Sequence, residues 1–325
     1  MKEITFINRN KNRWDDFEKQ LARPENPDVL ADQYIQLTDD LSYARTFYPG
    51  SHIASYLNRL TLKTHQEIYK NKRESTSRIR TFFTQEIPLL NYELRKLYLI
   101  SLIIFSLSIL LGVVSALTDE SFVRMILGDE YVNNTLNNIQ KGDPLAVYGT
   151  MDESLMFLTI TINNIRVAFI TFLLGLLTPL GTSYIIFTNG VMVGSFITFF
   201  YQHNILGTSL LGVFIHGTLE LSAIVIAGGA GILMGKGFLF PGTYSRLHAF
   251  TTAAKKGAKV MIALVPFFMV AGFFEGFLTR YYQSIPLVLN IIIIGSSLTV
   301  ICWYFFIFPY IIHKKQTSQN HEKTN

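Results

Sequence analysis

The sequence is short of the residues that mark a disulfide scaffold, a soluble domain or a nucleotide-driven enzyme. It has one cysteine, Cys302, so no disulfide can close within the chain. Charged residues make up 16% of its 325 positions, against about 25% in ordinary globular domains. No phosphate-cradling loop ending in Gly-Lys-Ser/Thr is present, and Gly228-Gly229-Ala230-Gly231 is embedded too deeply among apolar residues to serve as one. Ser195 and Ser222 lack the Gly-x-Ser-x-Gly setting of a nucleophile elbow, and Ser296 reads as a helix-packing residue. The opening MKEITFINRNKNRW has no continuous apolar core, so the N-terminus is expected on the side of synthesis.

What the chain has in quantity is apolar length. Hydrophobic residues are 49% of the total, mean hydropathy is +0.29, and the apolar residues gather after Lys96 in runs that reach the roughly 20 residues of a membrane span. Six spans are expected, at about 97–117, 155–180, 183–201, 208–234, 260–278 and 285–312. Pro179-Leu180-Gly181 is read as the turn between the second and third, and Gln202-His203-Asn204 as the turn between the third and fourth. The expected fold is all-α: a polytopic membrane protein with a six-helix transmembrane bundle, preceded by an N-terminal cytoplasmic helical domain over 1–96.

Residues 1–96 carry 16 Lys/Arg and 13 Asp/Glu and no run of membrane length. Trp14, Phe17 and Leu21 recur at helical spacing, and Pro24 and Pro27 end that helix. A second helix is expected from Val29 to Phe47, closed by the turn Tyr48-Pro49-Gly50-Ser51. A third, from Ile53 to Arg80, becomes basic through Lys63, Lys70, Lys72, Arg73, Arg78 and Arg80. That run suits a solvated face, or a contact with anionic headgroups.

Charge sets the expected orientation. Segments 1–96, 235–259 and the tail 313–325 hold 24 of the 28 basic residues, whereas the 118–154 loop has seven acids and two basic residues. The positive-inside rule then places both ends in the cytoplasm and the acidic loop outside. Nucleic acid is not needed to explain the basic balance. Within the outer loop, Phe122, Met125, Ile126 and Leu127 are spaced for a short amphipathic helix lying on the membrane.

The chain is organised around Gly207–Gly235, a span that carries His216 and Glu220 one helical turn apart. A charge at that depth costs about 2.5–3.5 kcal/mol on insertion scales, so it is expected to have a partner or a task. Topology brings Asn163, Asn164, Arg166, Glu275 and Asn290 to similar depth, which suggests one intramembrane polar cluster with Arg166–Glu220 as its ion pair. Such a cluster locks a bundle together, lines a pathway or performs chemistry. His216 and Glu220 alone lack the second histidine of His-Glu-x-x-His, so no catalytic set, metal site or cofactor is expected. Gly217, Gly228, Gly229 and Gly231 read as helix-packing positions, and Asn189, Gly190 and Gly194 as a helix break or a close helix contact.

Leu37–Lys70, NNIRVAF at Asn163–Phe169, NGVMVG at Asn189–Gly194 and above all HGTLELSAIVIAGGAGI at His216–Ile232 resemble the stage II sporulation protein M family of bacterial integral membrane proteins. Ile215 stands where that family often has proline. The resemblance implies the bacterial cytoplasmic membrane and a non-enzymatic scaffold or complex subunit acting on cell-envelope partners. Those partners would be envelope-degrading enzymes or a MoxR-type ATPase system, beside membrane lipid and a possible second copy of the chain. The rival expectation is a transporter or channel that uses the Arg/His/Glu cluster.

Overall fold

The computed structural model describes residues 2–21, 27–68, 77–149 and 152–324, and every regular element among them is helical. The chain divides into two compact units, Met1–Arg78 and Ile79–Asn325.

The N-terminal unit contains α1 (Glu3–Leu21), α2 (Pro27–Phe47) and α3 (His52–Ile68). Their helically spaced apolar residues meet in one core of Phe6, Trp14, Leu37, Leu41, Ala44, Ile53, Leu57 and Leu60. Trp14 buries its ring while its indole N–H donates to Asp40 Oδ2 at 2.8 Å, and Arg13 pairs with the same carboxylate. The one polar edge of a large apolar side chain is thereby satisfied. Gly50, with φ +81°, reverses the chain between α2 and α3 where a side chain would be strained. Of the basic third helix, Lys63 lies on α3, while Lys70, Lys72 and Arg73 fall outside the described residues.

Helix α4 (Ser77–Thr81), in which the boundary between the units falls, passes through a π-helical turn, Phe82–Glu86, into α5 (Ile87–Thr118). There follow α6 (Glu120–Leu127), α7 (Asp129–Gln140), α8 (Glu153–Leu173), α9 (Pro179–Gln202), α10 (Leu206–Leu239) and α11 (Arg246–Phe273). A second π turn, Phe274–Leu278, extends α11. The chain closes with α12 (Leu287–Cys302), a third π turn at Trp303–Ile307, and α13 (Phe308–Thr324). Among the described residues, six helices are long and apolar enough to cross a membrane: Arg78–Thr118, Glu153–Leu176, Pro179–Gln202, Leu206–Leu239, Arg246–Tyr281 and Leu287–Gln319. This is an all-α polytopic membrane protein. Several of these helices outrun their apolar cores: the first begins 19 residues before Leu97, and Lys259, on α11 just before the apolar run, meets Glu86 of the first π turn at 2.8 Å.

One expected turn is a helix start. Thr178 caps α9 by accepting from the Leu180 amide at 3.2 Å, and Pro179 occupies the first turn. Proline suits that position because its missing N–H would have no intrahelical partner there. The break between the second and third spans therefore falls before Pro179. The second expected turn stands: Asn204, at φ 59°, sits between α9 and α10.

The central helix is α10, which packs against α5, α8, α9, α11 and α12. In its most apolar window 61% of residues are buried, against 17% for the last span. A helix surrounded on all sides needs small residues where its neighbours' backbones come closest. A Cβ on Gly228 would lie 2.5 Å from Ser101 Oγ and Ile186 Cδ1. A Cβ on Gly229 would strike Tyr98, and one on Gly231 would strike Thr182 and stand 2.9 Å from the Thr171 carbonyl. Ser101 also donates to the Val225 carbonyl at 2.7 Å, pinning α5 to α10.

A candidate intramembrane polar site

One turn of α10 presents His216 and Glu220 on the same face, as their four-residue spacing requires. Opposite them, the π turn after α11 carries Glu275, followed by Thr279. A π turn widens the helix by one residue and changes the direction of the side chains that follow, and such turns recur at functional sites. Here it brings one donor atom each from His216, Glu220 and Glu275 within 4.8 Å of one another. His216 and Glu275 are both buried, and Nε2 of the imidazole lies 3.7 Å from Glu275 Oε1.

The hydrogen bonds around this triad orient it. His216 Nδ1 lies 2.9 Å from Thr279 Oγ1. The Thr279 hydroxyl also reaches the Phe274 carbonyl at 3.3 Å; when it donates there, its oxygen accepts from Nδ1–H and leaves the Nε2 lone pair facing the carboxylates. On the other side, the Asn164 side-chain amide of α8 donates to Glu220 Oε1. Two carboxylates this close in an apolar bundle repel each other unless a proton or a cation lies between them.

A cavity of about 330 Å³ opens beside the site, with His216, Gly217 and Glu220 in its wall. The rest of the wall is mostly apolar and comes from α6, α7, α9 and α10, including Leu127, Tyr131, Phe196 and Phe214. Burial pushes the Tyr131 hydroxyl up to about 12, so it remains a neutral group at the cavity wall. The amphipathic segment expected in the outer loop is α6, capped by Asp119, which accepts from the Ser121 amide at 2.8 Å. Val123 is its buried residue, Met125 is exposed, and Ile126 and Leu127 line the cavity.

The other expected site residues divide. The Arg166–Glu220 ion pair does not form. Asn164 and Arg166 are two apart, about 200° around a helix of 3.6 residues per turn, so turning Asn164 inward turns Arg166 out. Arg166 and Asn163 are both exposed, on the outer face of α8. Asn290 is buried on α12 with its side-chain oxygen unpartnered. Helix α9 runs unbroken through Asn189, whose amide donates back to the Ile185 carbonyl at 2.8 Å. The small residues beside it serve close packing: a Cβ on Gly190 would lie 2.5 Å from Ser108 Cβ, and one on Gly194 would strike the Ile109 carbonyl. Gly217 differs, because a Cβ there would meet nothing closer than Val213 at 3.6 Å. Sequence reasoning missed Thr279. The spacing Glu275–Thr279 repeats that of His216–Glu220, a signal that only the π turn makes useful.

The sequence of this bundle matches a known family. Residues 101–280, more than half the chain, match the family described as Stage II sporulation protein M. The chain belongs to that family. The stage II sporulation protein M region runs from Ser101, within α5, to Arg280 and so contains the whole triad and Thr279, while Asn290 lies beyond it. Residues 4–70, which include the Leu37–Lys70 stretch, match a domain of unknown function (DUF8413). No curated protein and no solved structure matches the chain.

Proposed function

We propose that this protein is a non-enzymatic subunit of a bacterial cytoplasmic-membrane complex, which recruits or regulates cell-envelope partners. The observation that carries this reading is Arg166. It sits mid-way along the second span, is exposed, and among the described residues makes no ion pair within the chain. Charged residues at membrane depth ordinarily face a bundle interior or a partner, because hydrocarbon offers them nothing. Asn163, three residues earlier, shares that face. A second protein, or a second copy of this one, supplies the missing acceptor. The family implies the partner class, namely envelope-degrading enzymes or a MoxR-type ATPase system.

The outer loop supports the same reading. Helices α6 and α7 are held by Arg124–Asp129 at 3.0 Å, and Asp143 accepts from Tyr282 at 3.2 Å. Asp129 and Glu130 are exposed there, offering an acidic surface to extracytoplasmic partners. Both chain ends lie in the cytoplasm on this reading, by the positive-inside argument. The test is affinity purification in mild detergent from the native host, comparing the natural chain with Arg166→Leu. Loss of a stoichiometric partner, with the bundle still folded, supports the proposal. An unchanged partner list refutes the role of Arg166, and no partner with either chain refutes the subunit reading.

A second reading, a transporter or channel, draws on the cavity that reaches His216 and Glu220. It predicts solute or proton flux in reconstituted vesicles that Glu220→Gln abolishes.

A further inference from the structure

We propose that His216, Glu220 and Glu275 bind one divalent first-row transition-metal ion within the membrane bundle. The proposal is independent of the subunit reading, since it concerns the bundle interior and needs no partner.

Three observations converge. The donor set is mixed, one imidazole nitrogen and two carboxylates, and comes from two helices with donor atoms inside 4.8 Å. Imidazole with carboxylate suits manganese, iron, cobalt or zinc better than calcium or magnesium, which take oxygen alone. The second observation is the support around the ligands. Metal-bound histidine usually donates its other N–H to an oxygen that fixes ring and tautomer. Thr279 Oγ1, 2.9 Å from His216 Nδ1, is placed to accept that N–H while Nε2 faces Glu275. Glu220 is likewise held by the Asn164 amide. The third is charge. Once binding has displaced any shared proton, two carboxylates and a neutral imidazole carry two negative charges, which a divalent ion cancels and a monovalent ion does not. In a low-dielectric bundle that neutrality decides which cation is stable.

The cavity supplies access and room. His216 and Glu220 lie in its wall, so an ion held by three protein ligands keeps a coordination position open toward about 330 Å³ of space. Thr279 is a positioning residue here: it acts through His216 and does not itself ligate.

The experiment uses the full chain in detergent or nanodiscs, stripped with a chelator and titrated separately with zinc, manganese and cobalt ions. Metal is counted by elemental analysis and followed by the cobalt ligand-field spectrum and by the rise in thermal stability. One equivalent per chain is expected, with a cobalt spectrum typical of nitrogen–oxygen ligation. Glu275→Gln and His216→Ala lose the spectrum and the stabilisation. Thr279→Val weakens binding about 10–100-fold, the usual cost of removing an outer hydrogen bond, and Thr279→Ser, which retains the hydroxyl, restores it. Size-exclusion profiles and unliganded melting curves report whether each variant is folded. Absence of stoichiometric binding by the natural chain overturns the proposal without any variant. Binding that survives His216→Ala and Glu275→Gln together overturns it too, because the metal then sits elsewhere, for example on the surface histidines.

Discussion

The two halves of α10 are built on opposite terms. The C-terminal half, from Gly228 to Gly235, leaves no space at its glycines: backbone or side-chain atoms of α5, α8 and α9 stand where a Cβ on Gly228, Gly229, Gly231 or Gly235 would go. The N-terminal half, around His216 to Glu220, is looser and polar, with open space at Gly217 and a cavity alongside. One helix therefore supplies both the point where the bundle is pinned and the point where a ligand has room. Rigidity and vacancy a few turns apart are what a held polar site requires, since its geometry must not depend on filling the cavity.

The hardest blow to this contrast is Gly231→Leu. It forces a side chain into Thr182 and the Thr171 carbonyl, and costs about 3 kcal/mol or more as overpacking that the backbone cannot relieve. The expected result is loss of monodisperse protein in detergent, and normal melting behaviour would show the C-terminal half to be pliable. Asn164→Leu comes next. It removes the amide that donates to Glu220 and is expected to cost about 1.5–3 kcal/mol, the range for hydrogen bonds to charged groups. Thermal unfolding in detergent reads it directly. At the looser end, Gly217→Ala is expected to stabilise by about 0.5–1 kcal/mol, since alanine favours the helix and its Cβ meets only ordinary contact. A destabilisation there would mean that the N-terminal half of α10 is as tight as the C-terminal half. The smallest effect belongs to Asn290→Leu: replacing a buried amide whose oxygen has no partner by an apolar side chain of similar size leaves stability within about 0.5 kcal/mol or raises it.

Legibility followed the physical range of each signal. Apolar length is local, so all six membrane helices were readable, as were His216 and Glu220 as a pair one turn apart. Gly228, Gly229 and Gly231 were readable as packing residues for the same reason: small residues inside an apolar span have few other uses. The start of α9 was misread because Pro179 signals a turn and a first helical residue equally well, and only the Thr178 cap distinguishes them. Arg166 was paired with Glu220 because opposite charges at similar depth attract on paper. Depth along a span is in the sequence, but which way a side chain faces depends on how the whole helix is rotated, and that rotation is set by contacts with other helices.

The amino-acid sequence by itself determined the all-helical membrane architecture and the family. Hydrophobic length, helical spacing and motif are properties of neighbouring residues. The tertiary structure alone decided that Glu275 and Thr279 join His216 and Glu220 while Arg166 turns away. That outcome depends on a π turn and on the rotation of α8 against α10, and both arise from packing between segments more than fifty residues apart.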